Sequence, residues 1–225
     1  PITMPGSSGN GPWNDKTEHH VSSLDRITMR MIVKKVKVCG GNMKDLKVSD
    51  LMVPLLEYAT VSEGATLYEA VVELEKAQEE FDHTRYRHRA ILVLDNDGKV
   101  IGKLSQVDAL KALEPKYGAM LDRRRSHHLG FSKKFLKSML KEHSLLSSSL
   151  EDICRKAGDQ NIKQHMRTPS EGEFIEEGAT LDEAIHQLVL GNHQSLLVTS
   201  QGSITGILRL TDVFAAVFHK MRECF

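Results

Sequence analysis

The chain states one seven-residue phrase twice, and that repetition limits its architecture more than any other feature. Gly102 to Asp108 (GKLSQVD) and Gly206 to Asp212 (GILRLTD) each follow a short apolar run and a glycine turn. Gly102 and Gly206 lie 104 residues apart, as do Asp108 and Asp212, and Gly98 and Gly202. Self-similarity at a fixed offset marks a duplicated supersecondary unit, neither copy of which buries its apolar face alone.

The flanking segments repeat as well. Thr66 to Glu69 and Thr180 to Glu183 both have capping-box spacing, in which a hydroxyl accepts a first-turn amide and a carboxylate reaches back to the cap. Leu67, Ala70, Val71 and Leu74 then predict one buried helical stripe, matched by Leu181, Ala184, Ile185 and Leu188. Ile91 to Leu94, the turn Asn96-Asp97-Gly98 and Val100-Ile101 predict a hairpin. Leu196 to Val198, Gly202, Ile204 and Gly206 repeat it at the same offset of 104. The helix opened by Ser105 carries Val107, Leu110 and Leu113 and stops at Pro115. Earlier in each copy, Val48, Met52 and Val61 match Ile162, Met166 and Ile175 at an offset of 114, which predicts ten extra residues in copy one between Ala77 and Arg89.

The expected fold class is therefore α/β (α+β), two β-α-β-β-α repeats with a helical insertion between them. Residues 1–23 are polar and rich in Gly, Pro and Ser, with lone Trp13 and the pair His19-His20; they read as a disordered arm without function. Residues 24–43 form a packing segment with mixed signals: Leu24, Ile27 and Met31 have helical spacing, whereas Val33, Val36 and Val38 suggest a strand. Residues 44–115 make repeat one, 116–161 the insertion and 162–225 repeat two. In the insertion, Phe131, Phe135, Leu136, Met139 and Leu140 predict an amphipathic helix ringed by Lys133, Lys134, Lys137 and Lys141. Ser148 to Glu151 predicts the cap of a second helix, which Gly158 ends.

Composition narrows the function classes. Thirty basic residues balance thirty acidic ones, so global charge predicts neither a nucleic-acid nor a membrane partner. Three scattered cysteines, Cys39, Cys154 and Cys224, imply neither a metal site nor a disulfide framework. No apolar run approaches the roughly 20 residues of a membrane helix, and the first residues lack the order of a secretory signal. A cytoplasmic protein is the expectation. There is no phosphate-binding Gly-x-x-x-x-Gly-Lys loop, no His-Glu-x-x-His and no nucleophile elbow; His127-His128 beside Cys154 are too sparse for a metal. No enzymatic activity, no catalytic residue and no required cofactor are expected.

The repeated phrase has chemistry of its own. A glycine at a strand end lets another group approach the backbone, and the helix behind it offers unpaired amides to an anion. Ser105 can donate to a phosphate, and ionised Asp108 can accept from a ribose diol. The same Ser-x-x-Asp spacing also suits a helix cap without any ligand. Arg209 replaces the hydroxyl in copy two while Asp212 stays, and a guanidinium suits a phosphate.

In this order, the duplicated helix, hairpin and Gly-x-x-Ser/Thr-x-x-Asp phrase resemble a tandem pair of CBS domains, the Bateman module, over roughly residues 44–115 and 160–220. The resemblance implies two three-stranded sheets packed together with helices outside. It implies clefts that bind AMP, ADP or ATP, or in some members S-adenosylmethionine, as a regulatory ligand, and a homodimer. The family's phosphate and ribose roles fall on Ser105 and Asp108, and on Asp212, with Arg209 departing from the pattern. Counting back from Gly98 and Gly202 gives Arg89 and His193 as equivalent basic residues facing phosphate, with Arg85, Arg87 and His88 close by. Tyr58, Ala59 and Thr60, with Glu173 and Phe174 in copy two, match the lining of the adenine pocket. Two other functions compete: an assembly module without nucleotide, and binding of nucleic acid or an anionic protein through eight basic residues between Lys116 and His143. The solvated-helix reading of that stretch is preferred.

Overall fold

The computed structural model describes residues 43–80, 88–122 and 132–224, all within one compact unit. The expectations for the arm, for most of the 24–43 segment and for Phe131, Arg85 and Arg87 lie outside the described residues.

Repeat one contributes α1 (Val48–Leu51), β1 (Val53–Pro54), β2 (Thr60–Ser62), α2 (Leu67–Glu80), β3 (Ala90–Leu94), β4 (Val100–Ser105) and α3 (Gln106–Ala112). The insertion holds α4 (Lys116–Asp122), α5 (Lys133–Glu142) and α6 (Leu150–Gly158). Repeat two follows with β5 (Phe174–Glu176), α7 (Leu181–Leu190), β6 (Ser195–Ser200), β7 (Ser203–Arg209) and α8 (Leu210–Cys224). One sheet has the order β2-β3-β4 and the other β1-β7-β6-β5.

The second sheet has four strands because the repeats exchange their first segments. β1 belongs to repeat one in sequence but pairs antiparallel with β7 of repeat two, Val53 opposite Ile207 and Pro54 opposite Gly206. Its counterpart, Arg167, makes a two-way backbone pair with Lys103 on β4 (N···O 3.0 and 2.9 Å). The loops just upstream cross in the same way: Lys47 bridges to Thr180, and Thr66 to Asn161. Val48 is buried in the core of repeat two with Ile175, Ala184, Leu196 and Leu208, and Ile162 in that of repeat one with Ala70, Ile91 and Leu104. A third cluster, Val53, Tyr58, Leu92, Leu197 and Ile207, joins the two sheets. Each of these fully buried aliphatic side chains contributes about 1.5–3 kcal/mol of transfer free energy, so neither repeat keeps its core without the other.

The exchange explains the repeated glycines. A Cβ on Gly206 would stand 2.5 Å from the Val53 carbonyl oxygen, and one on Gly102 would stand 2.5 Å from the Met166 sulfur. The close approach foreseen at these positions is made by the crossing strand of the other repeat.

Both helix caps at Thr66 and Thr180 form. The Thr66 amide donates to Glu69 Oε2 at 2.7 Å and the Thr180 amide to Glu183 Oε2 at 2.8 Å. Three expectations change. Val71 is exposed while Leu67, Ala70 and Leu74 are buried, because the buried side of α2 is narrower than four residues. On α3, Val107 and Leu110 face solvent, and Asp108 and Ala112 are the buried residues. The cap of α6 is Ser149, which accepts the Asp152 amide at 3.2 Å, one residue beyond Ser148. Ala157 ties α6 into the core of repeat one, whereas no described side chain of α5 is fully buried, and Leu136 and Leu140 are exposed.

The hairpin register corrects the spacing. Leu92 lies opposite Lys103 and Leu197 opposite Ile207, so β3 and β6 differ by 105 residues while β4 and β7 differ by 104. The turn of repeat one is one residue longer. Asp95 organises it, its carboxylate accepting the amides of Asp97 and Lys99 at 2.9 and 2.8 Å, and Gly98 takes φ 76°. In repeat two Gln201 and Gly202 both have positive φ, 51° and 77°, the geometry of the tightest hairpins. The excess in copy one before β3 is thus nine residues, not ten. Arg89 corresponds to Gln194, as the matching bonds Gln106 N–H to Arg89 O and Leu210 N–H to Gln194 O also show. The partner of His193 is His88, not Arg89.

Candidate functional site

The two copies of the repeated phrase mark two candidate clefts at the seam between the sheets, each where a segment of the other repeat crosses, Arg167 against Lys103 and Pro54 against Gly206. At the first, β4 ends in Ser105, the cap of α3. The Ser105 hydroxyl donates to Asp108 Oδ2 at 2.5 Å and accepts the Asp108 amide at 3.2 Å, and the Ser105 amide returns to the same carboxylate at 3.1 Å. That is a complete capping box. Two cations add to it, Lys111 Nζ at 3.1 Å from Oδ1 and Arg167 Nε at 3.2 Å from Oδ2. Burial pushes the Asp108 carboxyl up, but the hydrogen bonds from Ser105 and Lys111 and the field of Arg167 outweigh it and hold it below its ordinary 3.8. Asp108 is only 4% exposed, yet the cations over it are not buried: the side chains of Arg167 and Lys111 are 57% and 42% exposed.

Two residues behind Ser105, Lys103 points between the sheets and forms a buried ion pair with Glu173. Glu173 also accepts from the Ser170 amide and hydroxyl, each at 3.2 Å. Burial raises this carboxyl, and Lys103 together with Ser170 outweighs that and leaves it below its ordinary 4.5. Next to it Gly172 is exposed, and a Cβ there would stand 3.7 Å from His193 Nε2. Phe174, which opens β5, is exposed; its carbonyl and that of Gly172 accept from the Gln187 amide at 2.8 and 2.7 Å.

At the second cleft Arg209 spans Asp212 with both arms, Nε to Oδ2 and Nη2 to Oδ1, each at 2.6 Å. Their side chains are 7% and 16% exposed. Arg209 thus stands where copy one has Ser105 but only donates to the aspartate, whereas the Ser105 hydroxyl also accepts an amide. The turn Leu55–Glu57 lies against β7 and delivers Tyr58, buried, with its ring edge-on to His88 at 4.3 Å. Burial pushes the Tyr58 hydroxyl well above the ordinary phenol range, with Arg209 and Asp212 acting on it in opposite senses. Ala59 belongs to the core of repeat one, and Thr60 pairs with Leu92 at the head of β2.

At the first place Ser105 bonds Asp108, and Lys103 on the same strand pairs with Glu173, which stands between Phe174 and Gly172 with His193 beside the latter; at the second Arg209 bonds Asp212, with Tyr58 in their field and Thr60 two residues on. Arg89 is exposed beside β3 and holds the start of α3 through its carbonyl. Three contributors were missed: Lys103, Arg167 and Gly172. Lys103 leaves a trace in the sequence, a charge in an apolar strand where copy two has Ile207. Arg167 corresponds to Val53 and is found only through the strand exchange.

The CBS domain family model matches residues 48–115 and 162–219, more than half of the chain, and the protein belongs to that family. Its fold is that of a CBS pair. Among solved structures, a CBS domain-containing protein from Bacillus anthracis is similar at 17% identity and a TM-score of 0.51, covering 79% of this chain and 96% of that one. The CBS-pair protein CBSX2 from Arabidopsis thaliana is similar at 18% identity and a TM-score of 0.49, over 78% and 96%. The CBS domain of a bacterial CNNM/CorC family Mg2+ transporter, solved in complex with ATP, is similar at 11% identity and a TM-score of 0.49, over 84% and 96%. No curated protein sequence matches the chain. No helix among the described residues is long and apolar enough to cross a membrane.

Proposed function

We propose that this protein is a regulatory module that senses an adenine nucleotide, AMP, ADP or ATP, in the clefts between its repeats, and that it catalyses no reaction. The observation that carries this reading is the construction of each cleft: a glycine-bearing strand, a helix N-terminus and an aspartate from one repeat, faced by the crossing segment of the other. Such a site is assembled only when the repeats are docked, so a ligand in it biases their arrangement.

The first cleft has the fuller set of groups. The exposed Arg167 and Lys111 can turn towards a phosphate, which leaves Asp108 free to accept from the ribose hydroxyls. Ser105 then offers its hydroxyl to the phosphate, and His193 and Phe174 flank the approach. A homodimer fits the exposed apolar faces of the helices behind the two motifs: Val107 and Leu110 on α3, Phe214, Phe218 and Met221 on α8. The Phe214 and Phe218 rings lie nearly parallel with centroids 6.4 Å apart, and sedimentation at micromolar protein should show two chains.

Isothermal titration with ATP, ADP, AMP and S-adenosylmethionine tests the reading. Binding of an adenine nucleotide to the native state should raise thermal stability, by about 2.7 kcal/mol at a hundredfold excess over Kd. Asp108→Ala should weaken that binding by about tenfold or more, since a hydrogen bond to a charged acceptor contributes roughly 1.5–3 kcal/mol. If Asp108→Ala lowers stability and leaves affinity unchanged, Asp108 is a helix cap only.

A further inference from the structure

The two clefts share a backbone plan and are finished differently. We propose that the module holds one nucleotide per chain, in the cleft of Ser105, Asp108 and Gly172, and that Tyr58 and Arg209 close the other cleft from within. The proposal rests on the nucleotide reading above and goes further by assigning occupancy.

Tyr58 and Gly172 occupy equivalent places, each two residues ahead of its strand and each beside the equivalent histidine, His88 or His193. Tyr58 is 6% exposed and fills its position, packed with Leu92, Leu197 and Ile207. Gly172 puts no side chain into the corresponding space, and His193 stays half-buried where His88 is fully covered. A planar ring is thus already present at the second cleft, supplied by the chain, while at the equivalent place of the first the chain supplies none.

The aspartates differ in the same sense. Asp212 is held by both arms of a guanidinium that is itself buried. A ligand reaching for Asp212 would leave a buried cation and carboxylate without each other, which is strongly unfavourable. Asp108 is itself buried, but the two cations over it project into solvent, so they can turn towards a ligand without leaving a buried cation unpaired. Between the sheets, the second cleft rests on Ile207, whereas the first rests on the Lys103–Glu173 pair.

Titration calorimetry with ATP and with AMP, counted per chain, is the test. The wild type should bind one equivalent of at least one of them. Gly172→Tyr, a substitution at an exposed position, should weaken binding at least about tenfold with the melting temperature preserved. Tyr58→Gly combined with Arg209→Thr should raise the count to two. Two equivalents in the wild type, or unchanged affinity in Gly172→Tyr, overturns the proposal and leaves the nucleotide reading standing. A folded double variant that still binds one equivalent removes Tyr58 and Arg209 as the closing groups. If the double variant does not fold, Gly172→Tyr alone decides. No binding of either nucleotide by the wild type overturns both readings.

Discussion

Repeat one and repeat two follow the same path, yet at the seam one presents Lys103 and the other Ile207. Around Ile207 the structure places Val53, Tyr58 and Leu197, an apolar contact that needs only shape and exclusion of water. Around Lys103 it places Glu173, a buried ion pair in which each charge needs the other. Duplication supplied two equal interfaces. Their divergence teaches that one backbone plan can hold its halves together through hydrocarbon contact at one seam and through a buried ion pair at the other.

The comparison can be broken hardest at Glu173. Glu173→Ala strands the Lys103 ammonium between the sheets, and urea denaturation should show a loss of about 3–5 kcal/mol. Lys103→Ile with Glu173→Ala rebuilds the Ile207 and Ala59 arrangement of the other side and should recover most of it. If the double variant is no more stable than Glu173→Ala, the charged pair is not the source of the loss.

The crossing strands give a smaller contrast. Gly206→Ala drives a methyl into the Val53 carbonyl, fixed by its own sheet, and should cost about 1–3 kcal/mol. Gly102→Ala meets the Met166 thioether, a flexible chain end, with backbone no nearer than 3.4 Å, and should cost less. Equal melting temperatures for the two variants would remove the rigid-against-flexible distinction.

Acid should act on the charged seam. Glu173 titrates below its ordinary 4.5 in the folded protein, so its contribution is complete above that value and is lost as pH falls through the lower folded value. Asp108, held below 3.8, adds a loss of the same sign. Wild-type stability should therefore fall on acidification below about pH 4.5. The Lys103→Ile, Glu173→Ala variant should fall less steeply, and a parallel decline would count against the pair as the acid-sensitive element. Smallest is Ser149→Ala, about 1 kcal/mol from a lost cap on α6, a change in the insertion that should leave both seams and any nucleotide binding as they were.

Much of this protein follows from local spacing. The capping boxes at Thr66 and Thr180, the stripes behind them, the glycine turns at Gly98 and Gly202 and the duplication itself are patterns within about twenty residues, set by backbone geometry and by the periods of helix and strand. One residue of slack in the Asp95 turn misaligned His193 with Arg89, because a turn's length depends on which side chain organises it. Other features had no local signal at all. That β1 crosses to β7 and that Gly102 and Gly206 make room for segments of the other repeat depend on contacts between residues as far as 154 apart in sequence, such as Val53 and Ile207. So does the placing of Tyr58 beside the second motif and Gly172 beside the first. Residue types and periods determined the two repeats, whereas the seam between them was decided by which apolar and charged groups could be buried together once the chain had closed on itself.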